Sequence, residues 1–271
     1  MIKRSKTGKI KIAATSKSGF FIKLLLLILV GLTVFSFFSF DYKGLNVVQA
    51  LTESFYNVGV VFGQPRLEYS TFGEIIHQLL ITVALGFLAT LFGALIGFFG
   101  ALLCAENIAT PKVGFVLKSV VALVRAVPTI LWVLIFAIAS GLGSVAAISG
   151  MTFHSAAFLI KSYTESIEEM DKGAIEALKA SGAGFWQIVF QVVLPSSIRP
   201  MIAWTFMRLE INFISALAVG AASGAGGIGH NLYMAGSYYL NLRELGFITY
   251  TIVITVIILE ITATKIKAKV R

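Results

Sequence analysis

Arg208 and Glu210 stand inside an apolar run from about Ile198 to Ala222. Ionisable groups in such a setting are costly and normally face a cavity or a partner. Two positions apart on a helix they point in different directions, so a direct pair is not expected. Each should find a partner on another helix or on a second copy of the chain; alternatively, Arg208 helps an anion pass. Arg125 opens another apolar run, where it either snorkels to lipid headgroups or lines an inner mouth. Other chemistry is thin. His77, His154 and His230 lie far apart without ligand spacing, so no metal site is expected. Cys104, the one cysteine, excludes an internal disulfide and a cysteine cluster. No nucleophile and base share a motif. "GAGGIG" (224–229) has the letters of a dinucleotide fingerprint, but that fingerprint follows a strand and opens a helix. Here it follows an apolar run, so Gly224, Gly226, Gly227 and Gly229 read as close-packing glycines at the outer membrane face. No G-x-x-x-x-G-K-[ST] occurs. Catalytic residues and a cofactor are therefore not expected, and any ATP hydrolysis belongs to another polypeptide.

These residues must be positioned by membrane helices. Of 271 residues 57% are hydrophobic and 13% charged, and mean hydropathy is +0.89, too apolar for a soluble domain to cover itself. About 20 apolar residues span a bilayer. Six candidates follow: 20–40, 78–105, 128–141 with an amphipathic lead-in over 111–127, 144–160, 198–222 and 245–263. With both termini cytoplasmic, 18 of the 22 Lys and Arg lie inside, and only Lys43, Arg66 and Arg243 lie outside. This asymmetry sets the orientation and accounts for the net charge of +9 without nucleic acid. The expected organisation is a basic tail (1–19), an uncleaved anchor (20–40), an external loop (41–77), a core (78–264) and a basic tail (265–271). "GALIG" puts Gly93 and Gly97 one helical turn apart, for packing within the subunit or at a dimer contact.

One polar stretch interrupts the core on the cytoplasmic side, at 161–185. "ESIEEMDKGAIEALKASGAG" reads as a short helix with Asp171 as N-cap and Gly182 as its stop. Ala174, Ile175 and Leu178 share one face, with Lys172, Glu176 and Lys179 opposite. Glu165, Glu168, Glu169 and Asp171 form a solvated acidic run that favours the helix N-terminus. At about 16 Å the rod is too short to be stable alone. Its apolar face packs on its own protein, lies on headgroups, or docks into a soluble partner.

Glu176-Ala177-Leu178, three residues, Gly182, nine residues, then Val192-x-Leu194-Pro195 resembles the cytoplasmic signature of ABC-importer permeases, E-A-A, three residues, G, nine residues, I-x-L-P. Leu178 and Val192 depart conservatively. The resemblance implies an all-α membrane protein of about six spans with the type I importer permease (MetI-like) fold. It implies that Ile175, Glu176, Ala177, Leu178, Gly182, Leu194 and Pro195 couple the chain to an ATPase, with a side chain at 182 clashing at the turn or at the dock. "RAVPTILWVLIF" (125–136), "RLEIN" (208–212) and "GAGGIG" are similar to phosphonate permeases, whereas "FISALAVGAAS" (213–223) lacks an expected basic residue. The resemblance places Arg125, Pro128, Thr129, Arg208, Glu210 and Asn212 near the pathway. The implied partners are a second copy, two ATPase subunits that bind ATP and Mg, an extracytoplasmic binding protein and the bilayer of a prokaryotic inner membrane. The implied cargo is a phosphonate, phosphite or related oxyanion. Alternatives are a methionine-type permease, an ATP-independent transporter or channel, and a regulator without transport.

Overall fold

The computed structural model describes residues 17–39, 44 and 46–270. Most of the expected basic tail, part of the external loop and Arg271 lie outside them. The regular structure among the described residues is all helical, in the order α1 (Lys17–Ser39), α2 (Val47–Gly63), α3 (Phe72–Cys104), α4 (Pro111–Ala126), α5 (Thr129–Ser140), α6 (Ser144–Glu168), α7 (Lys172–Ala180), α8 (Phe185–Ile188), α9 (Leu194–Ser223), α10 (Ile228–Tyr233) and α11 (Leu242–Val270). Two π-helical turns, Val189–Val193 and Met234–Tyr238, follow α8 and α10.

Two compact units part within α2, between Ser54 and Phe55. The first contains α1, whose span Gly19–Ser39 has no buried residue in its apolar window. A helix apolar on every side needs lipid or a partner to cover it. The second unit holds the remaining helices.

Among the described residues four helical stretches are long and apolar enough to cross a membrane, and the α4–α5 pair makes a fifth if it counts as one broken span. The sequence count of six differs at two places. The expected third span is two helices bent by 94°. Pro128 holds Val127 in an extended conformation (φ −90°, ψ 126°), since a residue before proline avoids the helical region. The expected fourth span lies within α6, whose 25 residues have the length but carry Ser, Thr and His. That composition fits its place, because α6 is enclosed by α3, α4, α5 and α9.

Small residues make that enclosure possible. A Cβ on Gly93 would sit 2.7 Å from Ser155 Cβ, and one on Gly97 2.8 Å from Leu159 Cβ. Gly150 of α6 lies against Val133 of α5, where a Cβ would reach 2.5 Å from backbone atoms. Lipid tails are as apolar as leucine, so helices in a bilayer gain from such close approach. The entry to α3 is set by Thr71, whose Oγ1 accepts from the Glu74 N–H while Glu74 accepts from the Thr71 N–H, a reciprocal cap.

Candidate functional site: a docked polar helix and a buried arginine network

Asp171 begins α7 by accepting a hydrogen bond from the Gly173 N–H at 3.1 Å. Ile175 is 2% exposed and belongs to a core with Ala101, Leu102, Leu159, Tyr163, Ile167 and Val193. Leu178 and Ala183 pack at its edge. Glu176 and Ala177 are exposed. Of the expected apolar face, Ile175 and Leu178 are covered by the chain's own core whereas Ala174 stays exposed, because the burial is centred on Ile175; Lys172, Glu176 and Lys179 are presented outward.

Gly182 follows with φ +82°. The Ala183 N–H donates to the Leu178 carbonyl and the Gly182 N–H to the Lys179 carbonyl, the paired bonds of a Schellman ending. A Cβ at 182 would meet nothing within 4 Å. The expected clash at the turn is thus replaced by a backbone requirement, since φ in this range strains side-chain-bearing residues. Leu194 is half-buried and Pro195 exposed. Pro195 lacks the N–H that would bond Gln191, and the turn before it is widened to a π-helix in which the Leu194 N–H donates to the Val189 carbonyl. The exposed rings of Phe185, Trp186 and Phe190 cluster beside this turn, a grouping typical of a membrane interface.

A second set of bonds, not anticipated from the sequence, ties α7 to the loop 105–110. Lys179 Nζ donates to the Asn107 carbonyl at 3.2 Å, and Asn107 Nδ2 donates to the Ile167 carbonyl at 2.7 Å. Lys118 of α4 bridges Glu106 (2.8 Å) and Glu168 (3.0 Å). Its ammonium holds the exposed Glu106 carboxyl below the usual carboxylate range. Glu168 Oε1 also accepts from the Glu106 N–H.

The residues that the resemblance places near a pathway partly converge. Arg208 is 2% exposed. Its Nε donates to Ser155 Oγ and its Nη2 to His154 Nδ1, each at 3.0 Å. Since the guanidinium only donates, Nδ1 accepts and a neutral ring carries its proton on Nε2. Thr129 Oγ1 lies 3.2 Å from the same Nδ1. Asn212 Nδ2 donates to Thr90 Oγ1 (2.8 Å) and Ser155 Oγ (2.9 Å). The Arg208 and Arg125 guanidiniums lie 5.3 and 5.8 Å from the centroid of one ring, Phe158. Arg125, Thr129, Arg208 and Asn212 thus gather around residues 154–158 of α6, with Pro128 at the adjacent kink. Glu210 departs from the group and faces Lys267 of α11 at 3.8 Å.

The glycine run serves two purposes. Gly227 and Gly229 touch Thr82 Oγ1 and the Leu217 carbonyl, so a Cβ has no room at either. Gly224 (φ +63°) meets nothing within 4 Å, and Gly226 (φ +74°) meets only Gln78 Oε1 at 3.7 Å. At these two the turn conformation, and not close packing, calls for glycine. Near the same end Glu244, 1% exposed, accepts from the N–H groups of Glu68, Tyr69 and Ser70 at 3.3, 2.8 and 3.0 Å. The sequence reading placed no weight on Glu244. Its only local signal is Asn241 three residues before it, whose Oδ1 accepts from the Glu244 N–H.

Comparison with known proteins places this geometry in a family. The chain is 31% identical over 180 residues to the phosphate-import permease protein PhnE of Mycolicibacterium smegmatis, covering 66% of this chain and 34% of that one. It is 32% identical over 154 residues to the putative phosphite transport system permease protein HtxE of Stutzerimonas stutzeri, covering 57% of each. The chain thus spans about a third and just over half of the lengths of these relatives. A solved inward-facing methionine ABC transporter contains a chain that superposes with a TM-score of 0.69 at 25% identity, covering 76% of this chain and all of that one. Residues 97–264 match the model of binding-protein-dependent transport system inner membrane components, and the chain belongs to that family.

Proposed function

We propose that this chain is the membrane-spanning permease subunit of an ATP-driven importer for a phosphonate, phosphite or related phosphorus oxyanion. The observation that carries the reading is α7: a short helix anchored by Ile175, closed by Gly182 and turned polar side outward, at the spacing of the importer signature. A rigid rod of this kind transmits a push from a docked partner. In this reading two copies of the chain form the pathway, two ATPase subunits bind ATP and Mg and dock on the α7 side, and an extracytoplasmic binding protein delivers cargo at the opposite end. The protein sits in a prokaryotic inner membrane with both termini cytoplasmic. Arg125, Pro128, Thr129, Arg208 and Asn212 line or support the pathway. Glu210, facing Lys267, is left to hold α9 against α11. The phosphate and phosphite permeases among its relatives support the cargo class.

A methionine importer is the second reading, favoured by the superposition on the methionine transporter. One experiment decides. The chain is co-purified with its native partners in lipid discs, and ATP hydrolysis is measured with binding protein loaded with a phosphonate, phosphite or methionine. Stimulation by a phosphorus oxyanion is expected. Stimulation by methionine alone selects the second reading, and a preparation without ATPase revives an ATP-independent transporter.

A further inference from the structure

A cavity of about 310 Å³ opens between α4 and α6 at the end of the molecule that carries α7. Its charged wall consists of Lys118, Arg125, Lys161, Glu165 and Glu168. Both carboxylates are committed. Glu168 holds Lys118 at 3.0 Å, and Glu165 holds Lys161 at 3.5 Å. Arg125 has no carboxylate within 4.0 Å among the described residues, and neither does Arg208. Both guanidiniums rest near Phe158, and the other side-chain partners of Arg208 are uncharged.

Two guanidiniums near one ring lack an acidic partner of their own, although Lys118 of the same wall takes a second carboxylate, Glu106 at 2.8 Å. A cation over an aromatic ring gains about 0.5–2 kcal/mol, whereas fully desolvating an ion costs several, a cost that falls on the buried Arg208 more than on the half-buried Arg125. An anion in the cavity would relieve this, and Arg125 is the wall residue with a fork to offer it. Resting on the importer reading, we propose that this cavity is an exit-side binding site for a small tetrahedral oxyanion. Arg125 grips the ion directly, and Arg208, whose guanidinium also rests near Phe158 but is not part of the cavity wall, adds its field. The cavity holds about ten waters' worth of liquid, room for such an ion with part of its hydration shell. A planar guanidinium matches two oxygens of a tetrahedral anion at once. A zwitterion with no net charge gains far less from an unbalanced positive site. One direct cation, in place of a full cage, also suits a site that must release its ion. The wall is linked to α7: Lys118 and Glu168 bond Glu106, and the neighbouring Asn107 carbonyl holds Lys179. Displacing α7 would pull on the cavity wall.

The test uses the permease with its ATPase subunits in lipid discs, without binding protein and with the nucleotide sites filled by ADP. Radiolabelled phosphate and phosphite are the probes, in equilibrium dialysis. Saturable binding of either ion is expected in the native complex. It should weaken about 10- to 100-fold in Arg125→Met and recover in part in Arg125→Lys, which restores charge without the fork. Should Arg125→Met fail to assemble, Arg125→Gln replaces it, with the same loss expected. The proposal is overturned if the native complex binds neither ion saturably, or if the neutral variant binds as tightly as the native complex. Neither hydrolysis nor binding protein enters this measurement. The importer reading can therefore fail, by absent stimulation, independently of the site.

Discussion

Gly182 separates two accounts of why the turn after α7 needs a glycine. In the first, a side chain would collide with a docked partner, and harm should grow with side-chain volume. In the second, the backbone at φ +82° is the constraint. The structure favours the second within this chain, because a Cβ at 182 meets nothing within 4 Å. For alanine the left-handed conformation costs roughly 1–2 kcal/mol, so the docked form of α7 should fall about 5- to 30-fold against the undocked form. Asparagine tolerates this conformation better than alanine despite its greater bulk, and a β-branched valine tolerates it least. The expected order of function is Gly, Asn, Ala, Val. The assay is the fraction of ATPase that co-purifies with each variant, read beside hydrogen exchange at the amides of 182 and 183, whose bonds to Lys179 and Leu178 close the helix. If alanine matches glycine while asparagine is worse, the backbone argument is wrong and a docking clash takes its place.

Ile175→Ala removes the one fully buried anchor of α7 and should cost about 2–5 kcal/mol; limited proteolysis between 170 and 184 should quicken, and an unchanged digestion pattern would show that α7 is held elsewhere. Glu244→Gln weakens three bonds to the backbone of 68–70 and should cost roughly 1–3 kcal/mol, seen as faster exchange of those amides with α7 undisturbed. Gly93→Ala forces α3 away from Ser155 and should lower thermal stability by about 1–3 kcal/mol; an equal melting temperature in lipid discs would contradict the close α3–α6 contact. Asn212→Leu removes the bonds to Thr90 and Ser155, whose hydroxyls keep only their partners at Gly86, Met151 and Arg208, and should cost about 1–3 kcal/mol, with the loss larger than for Thr90→Val, which leaves Asn212 its bond to Ser155.

What the sequence disclosed tracks the range of the forces involved. The α7 loop was legible because its determinants are local: a cap at 171, an apolar face at 175 and 178, a left-handed stop at 182 and a proline at 195. All lie within 25 residues and each acts on its neighbours. The α4–α5 break was half legible, since Pro128 marks a boundary, but a boundary does not reveal a bend of 94°. Helix α6 reads as a weak span for the reason it is central: surrounded by protein, it can carry the Ser155 and His154 that receive Arg208. Those partners lie 53 and 54 residues from Arg208, and Thr90 lies 122 from Asn212. No periodicity reports a pairing at that range, and the same holds for Glu244 and the backbone about 175 residues before it. Arg208 and Glu210 show the limit most sharply. Their spacing argued against a mutual pair, and α9 does turn them to different helices. Yet only the packed structure distinguishes them: Glu210 meets a lysine, whereas Arg208 is buried among neutral donors and acceptors with a second arginine nearby. A chain that leaves two guanidiniums without an acidic partner carries a charge that an anionic ligand would balance.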